Sequence, residues 1–347
     1  MKKFAVIGFG GQGHWHYWTT ENSECVTFAG LYDIDEAVRN KAKEEGLFVY
    51  DSVQAIFDDK SIDIVVIATP NDVHEELCVG ALLSGHNVVC EKPVTLSVES
   101  FDRIIDAAEK SGKIFSVHQN RRWDKEFIAM KHIVEDKLCG NTLRIETRVH
   151  GSRGIPGDWR QEKKYGGGMI YDWGVHLIDQ VMNIFPQQIV EIDCATTHFT
   201  NSEVDDGFRL EMVFCDGLTA FIEVGTYNFL KLPRFYLQCS QGTCIIPDWN
   251  ENVTVKRLKK WEEENVKPVM TSAGITKTMA PRDDSSSELY EIKLPDSDVH
   301  DFYRDLCLAI DGKKEQAVKN SEVRRVLQVI EAAFKSDELR QRLKVEI

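Results

Sequence analysis

Residues 4–13 read Phe4-Ala5-Val6-Ile7-Gly8-Phe9-Gly10-Gly11-Gln12-Gly13, four apolar residues running straight into glycines spaced G-x-G-x-x-G. The apolar run suits a buried strand, and His14 to about Asn22 suits a helix, so the glycines occupy a strand-to-helix turn. Each has its own reason. Gly8 permits the tight turn, Gly10 lets backbone approach a pyrophosphate, and Gly13 allows close packing of helix on strand. The pyrophosphate then sits at a helix N-terminus, where free N–H groups and the macrodipole favour an anion. Phe9, Gly11 and Gln12 complete the loop. A glycine-rich turn without a ligand fits the same pattern, so the flanking units must decide between them.

Those units alternate. Strand-like runs follow at Val26–Tyr32, Ile62–Ala68, Asn87–Cys90 and Ile114–Val117, with helical patterns at Asp35–Glu45, Asp72–Ser84 and Val98–Ser111 between them. Nearly continuous aliphatic strands suit a parallel sheet covered on both faces, and the alternation predicts an α/β, doubly wound Rossmann domain over 1–120. The pattern then changes. A helix over Lys125–Asp136, a strand over Leu143–Val149 and a helix over Ile170–Met182 precede strands at Ile189–Phe199, Phe208–Phe214, Leu218–Val224, Phe235–Cys239 and Val253–Leu258. Phe208, Leu210, Met212 and Phe214 alternate with Arg209 and Glu211, which suits an antiparallel sheet with faces of different polarity. Residues 121–347 therefore read as a second α/β domain with an open, mainly antiparallel sheet. The polar tract from Lys259 to Ser287, with Glu262-Glu263-Glu264, reads as an exposed loop. Helices over Val299–Ile310 and Glu322–Phe334 close the chain, placed to pack back on the first domain. No internal repeat is visible.

The formal net charge is -14 over 347 residues, with 42% hydrophobic and 28% charged residues. That balance disfavours nucleic acid as a partner, and the short basic run at Lys256-Arg257-Lys259-Lys260 is soon offset by glutamates. Nine cysteines without a C-x-x-C pair read as reduced thiols. The closest pair, Cys239 and Cys244, reads as coincidental. No stretch approaches a membrane span, and no signal peptide precedes the first strand, so a cytoplasmic protein is expected.

Asp33 ends the second strand, twenty residues after Gly13. A carboxylate there accepts hydrogen bonds from the adenosine ribose and repels a 2′-phosphate. No basic residue follows until Arg39, so NAD is preferred over NADP. An N-cap or turn role before Ile34-Asp35-Glu36 is the plainer alternative.

At Cys90-Glu91-Lys92-Pro93 the chain resembles the Gfo/Idh/MocA oxidoreductases, a family of inositol and sugar dehydrogenases. The likeness extends over Ala68-Thr69-Pro70-Asn71 with His74, Asn120-Arg121-Arg122, and Asp172-x-Gly174-x-His176. It implies that Thr69, Pro70, Asn71 and His74 line the cofactor, Asn71 and His74 near its ribose portions. It further implies that Glu91 contacts the nicotinamide ribose, that Lys92 reaches the reacting oxygen, and that Gln119 and Asn120 lie near nicotinamide and substrate. Trp159-Arg160 resembles a pair that contacts the nicotinamide in some branches. Trp173 stands where relatives often carry an aliphatic residue. A homodimer or homotetramer built on the open sheet is implied as well.

The residues suit that chemistry. Oxidising a secondary alcohol moves a hydride to the nicotinamide and a proton to a base. His176 is the candidate base, Lys92 the cation for the developing alkoxide, and Asp172, at i−4 on a probable helix, orients His176 or holds Lys92. Lys92, Asn120, Arg121, Asp172 and His176 form the candidate substrate site. Read singly, His176 is a hydrogen-bonded histidine on a half-buried helix, Asp172 a cap or solvent-facing residue, and Lys92 a solvated lysine; only the joint pattern points to catalysis. Gly166-Gly167-Gly168 fits backbone approach to a ligand and a flexible turn equally well. His14-Trp15-His16 invites a metal reading, but no clustered cysteine or carboxylate completes a site, and no metal is expected. The expected activity is NAD-dependent interconversion of a secondary alcohol and ketone on a cyclitol, sugar or glycoside. The alternatives are glycoside cleavage through transient sugar oxidation and a non-catalytic dinucleotide-binding regulator.

Overall fold

The structure, a computed structural model, describes residues 1–260, 267–277, 280, 282, 284–298 and 300–347. Five short strands form a parallel sheet: β1 (Lys2–Ile7), β2 (Val26–Tyr32), β3 (Ile64–Ile67), β4 (Asn87–Cys90) and β5 (Phe115–Val117), in the order β2-β1-β3-β4-β5. Strands β3, β4 and β5 are buried along their whole length, as expected of a sheet covered on both sides. The connecting helices are α1 (Gly11–Thr19), α2 (Glu36–Glu44), α3 (Val53–Asp58), α4 (His74–Leu83) and α5 (Val98–Ser111). Helix α5 has the length its sequence predicts because both ends are signalled. Ser97 accepts from Ser100 N at 3.2 Å, and Gly112 closes it at φ +64°. Helix α3 went unread; its six residues are too few for periodicity, although Ser52 caps it by accepting from Ala55 N. The chain reverses its winding between β1 and β3. The crevice beyond their carboxyl ends is where an open α/β sheet binds its ligand.

The second part contributes α6 (Lys125–Glu135), β6 (Thr142–His150), α7 (Val175–Ile184), β7 (Ile189–Thr197), β8 (Gly207–Phe214), β9 (Thr219–Gly225), β10 (Phe235–Cys239), β11 (Gly242–Ile246), β12 (Val253–Leu258), β13 (Val269–Thr271), β14 (Gly274–Thr276) and β15 (Ser287–Ile292). After α8 (Asp301–Ile310) and α9 (Asn320–Leu339), β16 (Leu343–Lys344) completes a sheet ordered β15-β12-β11-β10-β6-β9-β8-β7-β16. Every pair in it is antiparallel except β6 with β9.

Other elements also depart from the sequence reading, the short strand β16 among them. Strands β11 and β15 were not foreseen, since each is short and neither shows clean alternation. The polar tract holds the exposed hairpin β13–β14 rather than a loop alone, while its Glu262-Glu263-Glu264 and the expected helix start at Val299 lie outside the described residues. The helix expected from Ile170 opens instead as a π-helical turn, Ile170–Gly174, before α7 begins. Gly174 fits there because a Cβ would stand 2.9 Å from the Phe208 ring.

Apolar side chains gather in two cores. Phe302, Tyr303 and Leu306 of α8 join the core of the parallel sheet. Helix α9 serves both, with Val323 and Leu327 in that core and Val326, Val329 and Ile330 in the other. All nine cysteines are unpaired thiols, and Cys244 neighbours Cys139, at 3.5 Å between sulfurs, rather than Cys239. No helix among the described residues is long and apolar enough to cross a membrane.

Candidate active site

The glycine loop has the geometry that its spacing implies. Gly8 lies at φ +87°, and a Cβ there would stand 2.7 Å from the Ala68 carbonyl oxygen. A Cβ on Gly13 would overlap the Gly8 carbonyl, so the third glycine is set by helix-on-strand packing. Gly10 and Gly11 meet nothing within 4 Å among the described residues; their open side is a cradle that a side chain would fill. Helix α1 has neither a side-chain cap nor an acidic residue in its first turn, so its leading N–H groups point at that cradle uncompensated. Thr69 Oγ1, on the facing loop, is buried with no partner among the described residues. Together these features fit a dinucleotide pyrophosphate.

The structure assigns the cap of α2 to Asp35, which accepts from Ala37 N at 2.8 Å. Asp33 is thereby free of that role. Its carboxylate accepts from Phe9 N at 2.6 Å and Asp35 N at 2.8 Å, which ties it to the glycine loop. Arg39 folds back to the same corner, donating to the Asp33 and Ile34 carbonyls.

His74 is placed differently from its expected role near a ribose. It is fully buried, with Nδ1 facing the Pro93 and Val94 carbonyls and Nε2 facing Thr69 O at 2.9 Å. It therefore braces the two cofactor-side loops against each other. Asn71 likewise spends its amide on Tyr165 O, at 2.7 Å. The glycine run also resolves. Gly166 and Gly168 have φ of +70° and +102°, and Cβ atoms on Gly166, Gly167 and Gly168 would strike Leu96, the Arg160 carbonyl and Asp205. Packing of the chain on itself, not approach to a ligand, requires all three.

At the end of β4, Lys92 Nζ donates to Asp172 O at 2.9 Å and to Asp172 Oδ1 at 3.0 Å. Arg160 Nε donates to the other carboxylate oxygen, Oδ2, at 3.0 Å, while its guanidinium lies 4.6 Å over the Trp159 ring. Burial would raise the Asp172 carboxyl, but Lys92 and Arg160 together hold it below the usual range. Of the two roles open to Asp172, the structure places it on Lys92; it makes no hydrogen bond to His176. The wide π turn separates what α-helical i, i+4 spacing would have aligned. His176 is 4% exposed, and its Nδ1 is buried without a partner among the described residues. Burial, reinforced by Lys92 and Arg121, pulls its pKa well below the ordinary histidine value, so the ring is neutral at pH 7. Gln119 is 1% exposed, with neither amide atom partnered among the described residues. Asn120 opens the helical turn Asn120–Trp123 beside it.

Glu91 was expected to face a ribose. Its Oε1 instead accepts from His16 Nε2 at 2.9 Å and His118 Nδ1 at 2.7 Å, leaving Oε2 for the Lys92 amide. Burial opposes the charge, yet the two imidazoles hold Glu91 well below the ordinary carboxyl range. The carboxylate that the His14-Trp15-His16 run lacks in sequence is thus supplied in space, and the three ligand-type atoms lie within 4.8 Å of one another. Donors sharing a tetrahedral ion at ~2.0–2.2 Å would stand roughly 3.3–3.6 Å apart. The observed separations are those of hydrogen bonds. His118 was not singled out from sequence, because only the fold brings it, one residue past β5, onto Glu91. Arg121 lies 5.0 Å over the Trp173 ring and 5.5 Å over that of Trp249, a residue with no motif to mark it.

Residues 2–119 match the oxidoreductase family with an NAD-binding Rossmann fold, and residues 127–245 match the GFO/IDH/MocA C-terminal domain. The structure of an NAD-binding protein from Listeria innocua is similar throughout, with 39% identity, coverage of 99% of both chains and a TM-score of 0.93. An uncharacterized oxidoreductase of Schizosaccharomyces pombe is 31% identical over 60% of this chain and 59% of its own length. A myo-inositol 2-dehydrogenase of Thermotoga maritima is 28% identical over 55% of this chain and 57% of its own. The chain thus spans under two thirds of these two relatives' lengths. With both domain signatures present in order, over a crevice shaped for a dinucleotide, the chain belongs to the Gfo/Idh/MocA family of oxidoreductases.

Proposed function

We propose that this protein is an NAD-dependent dehydrogenase interconverting a secondary alcohol and ketone on a cyclitol, sugar or glycoside. The observation that carries this reading is the Lys92–Asp172 pair standing beside a neutral, buried His176 at the carboxyl edge of the parallel sheet. NAD, when bound, supplies the hydride acceptor. The glycine loop and the α1 N-terminus hold its pyrophosphate, Asp33 its adenosine ribose, and Thr69, Pro70, Gln119 and Asn120 the remainder. Lys92 donates to the substrate oxygen and stabilises the alkoxide, while Asp172 and Arg160 fix its position. His176 takes the hydroxyl proton at Nε2, since Nδ1 is sealed. Residues 1–120 thus hold the cofactor and lend Lys92 and Asn120 to the substrate, and residues 121–347 supply the rest of the substrate site.

A panel of cyclitols, sugars and glycosides, supplied with NAD and followed by reduced-nicotinamide absorbance, tests the reading. NADH accumulating with one of them supports it. Cleavage of a glycoside without net NADH would assign the transient-oxidation reaction instead, and NAD binding without any turnover would favour a regulator.

Replacing Asp33 by serine is expected to weaken NAD binding about 10-fold or more, the value of a hydrogen bond to a charged group. Binding of NADP should improve, because the repelling carboxylate is gone and Arg39 stands beside the vacated position. An unchanged ratio of the two dissociation constants would place cofactor choice elsewhere.

A homodimer or homotetramer in the cytoplasm completes the proposal. Unpaired cysteines support a reducing compartment. After β9, Phe229 and Leu230 are 75% and 90% exposed, an apolar edge that association would cover. Leu230→Asp should shift the sedimentation coefficient toward the monomer; an unaltered value would remove this loop from the interface.

A further inference from the structure

Beside His176 stands a group that the hydride chemistry does not use. Trp173 and His176 have ring centroids 5.9 Å apart, and Trp249 lies 5.8 Å from Trp173. Arg121 is stacked on both indoles. Arg234, 3% exposed, lies 3.7 Å over Trp249. Two guanidiniums therefore share one aromatic platform at the edge of the reaction centre.

Their donors are incompletely matched. Asp124 is the carboxylate between them, at 3.3 and 3.5 Å from Arg121 Nη1 and 4.0 Å from Arg234 Nη2. These separations exceed the 2.7–2.9 Å of a good charge-assisted hydrogen bond. Burial pushes the Asp124 carboxyl upward, against the pull of Arg121 and Arg234. Glu126 and Asp248 act on Arg234 through their charge, but their hydrogen bonds go elsewhere: Glu126 accepts from Asn250 N at 2.5 Å, and Asp248 accepts from Lys231 at 2.6 Å and Trp249 N at 2.9 Å. Arg234 spends Nη1 on the Arg148 carbonyl, while its Nε and Nη2, and Arg121 Nε, have no hydrogen-bond partner among the described residues. Gln180 Nε2 donates to the Arg121 carbonyl at 2.7 Å and so anchors the backbone from which the guanidinium projects.

We propose that Arg121, stacked on Trp173 and Trp249 beside His176, is an anion subsite, so that the substrate is a sugar or cyclitol carrying a carboxylate or phosphate. The half-buried indoles take the apolar face of the ring, and the guanidinium fork takes the acid, for which its planar donors are suited. Arg234 adds positive potential behind the platform. This rests on the dehydrogenase reading above and narrows its substrate class.

The test is calorimetric binding to the protein–NAD complex, using matched pairs: glucose 6-phosphate with glucose, glucuronate with methyl glucoside, and inositol 1-phosphate with inositol. An anionic member should bind at least 10-fold more tightly than its neutral partner, with the phosphate and carboxylate arms separating the two acids. In Arg121→Met the members of a pair should bind within about twofold of each other, while NAD affinity is unchanged. Arg121→Lys keeps the charge but loses the fork, and should retain part of the preference. Equal binding within every pair, a preference that survives Arg121→Met, or no binding by any acid in the panel would each overturn the subsite. The dehydrogenase reading fails separately, if the wild-type protein binds NAD but forms no NADH from any member of the panel, neutral or acidic.

Discussion

Replacing His176 by alanine is expected to lower the rate of alcohol oxidation by about 10²–10⁴-fold, the usual contribution of a positioned base. NAD binding should be unaffected, because the ring lies on α7 and not on the glycine loop. Lys92→Met should lose a similar factor, and its partner Asp172 would be left buried with only Arg160 to compensate it. The pH profile separates the two roles. A base must be neutral to accept a proton, and burial keeps His176 neutral to well below the ordinary histidine range. The wild-type oxidation rate should therefore hold from pH 7 down past pH 6.5 and fall only as the depressed pKa is crossed. Ketone reduction, which needs the imidazolium, should weaken with rising pH over the same interval. Single-turnover absorbance with each variant measures the chemical step directly. Rates within threefold of wild type for both His176→Ala and Lys92→Met would end the proposed mechanism.

The largest stability effect is expected at Arg122, the neighbour of the proposed anion site. Its Nε and Nη2 grip both oxygens of Asp179 at 2.8 and 2.6 Å, and Nη1 reaches the Ala317 carbonyl and Glu322. The side chain is nearly sealed and Asp179 more so, so burial would penalise the charge but for these partners. One residue thus joins the turn after β5, the helix that carries His176, and α9. Arg122→Ala leaves the Asp179 carboxylate buried and unmatched, at an expected cost of about 3–5 kcal/mol. Removing both charges with Arg122→Met and Asp179→Leu should cost less than the sum of the single changes, since the double variant strands no ion. Urea unfolding of the four proteins closes the cycle. A single-variant loss under about 1 kcal/mol would show that water reaches the pair.

How far the sequence could be read depended on whether a signal was local. Strands β2, β4, β10 and β12, and helix α5, have the bounds that their residues predict, because apolar runs, caps and glycine stops all act within a few positions. Strands β11 and β15 and the hairpin β13–β14 escaped, since short strands are made by their partners in the sheet rather than by their own pattern. The same division holds in the site. Gly8 and Gly13 are required by contacts only a few residues away in the chain or on the next strand, and the spacing announced them. His74, by contrast, was recognised as part of a motif, but only the folded carbonyls around it show that it holds loops together.

The glycine loop and the alternation of strands and helices were legible in sequence alone, through backbone sterics and periodicity that need no distant partner, and Lys92, Asp172 and His176 were singled out as candidates by their joint resemblance to a family pattern. Tertiary structure decided what those residues do to one another. It brought Lys92 to Asp172 across 80 positions, turned Asp172 away from His176 through a π turn, and closed His16 and His118 on Glu91. It also set Trp249 and Arg234 beside Arg121. Charge and burial act through space at a few ångströms, and sequence separation carries no information about such distances.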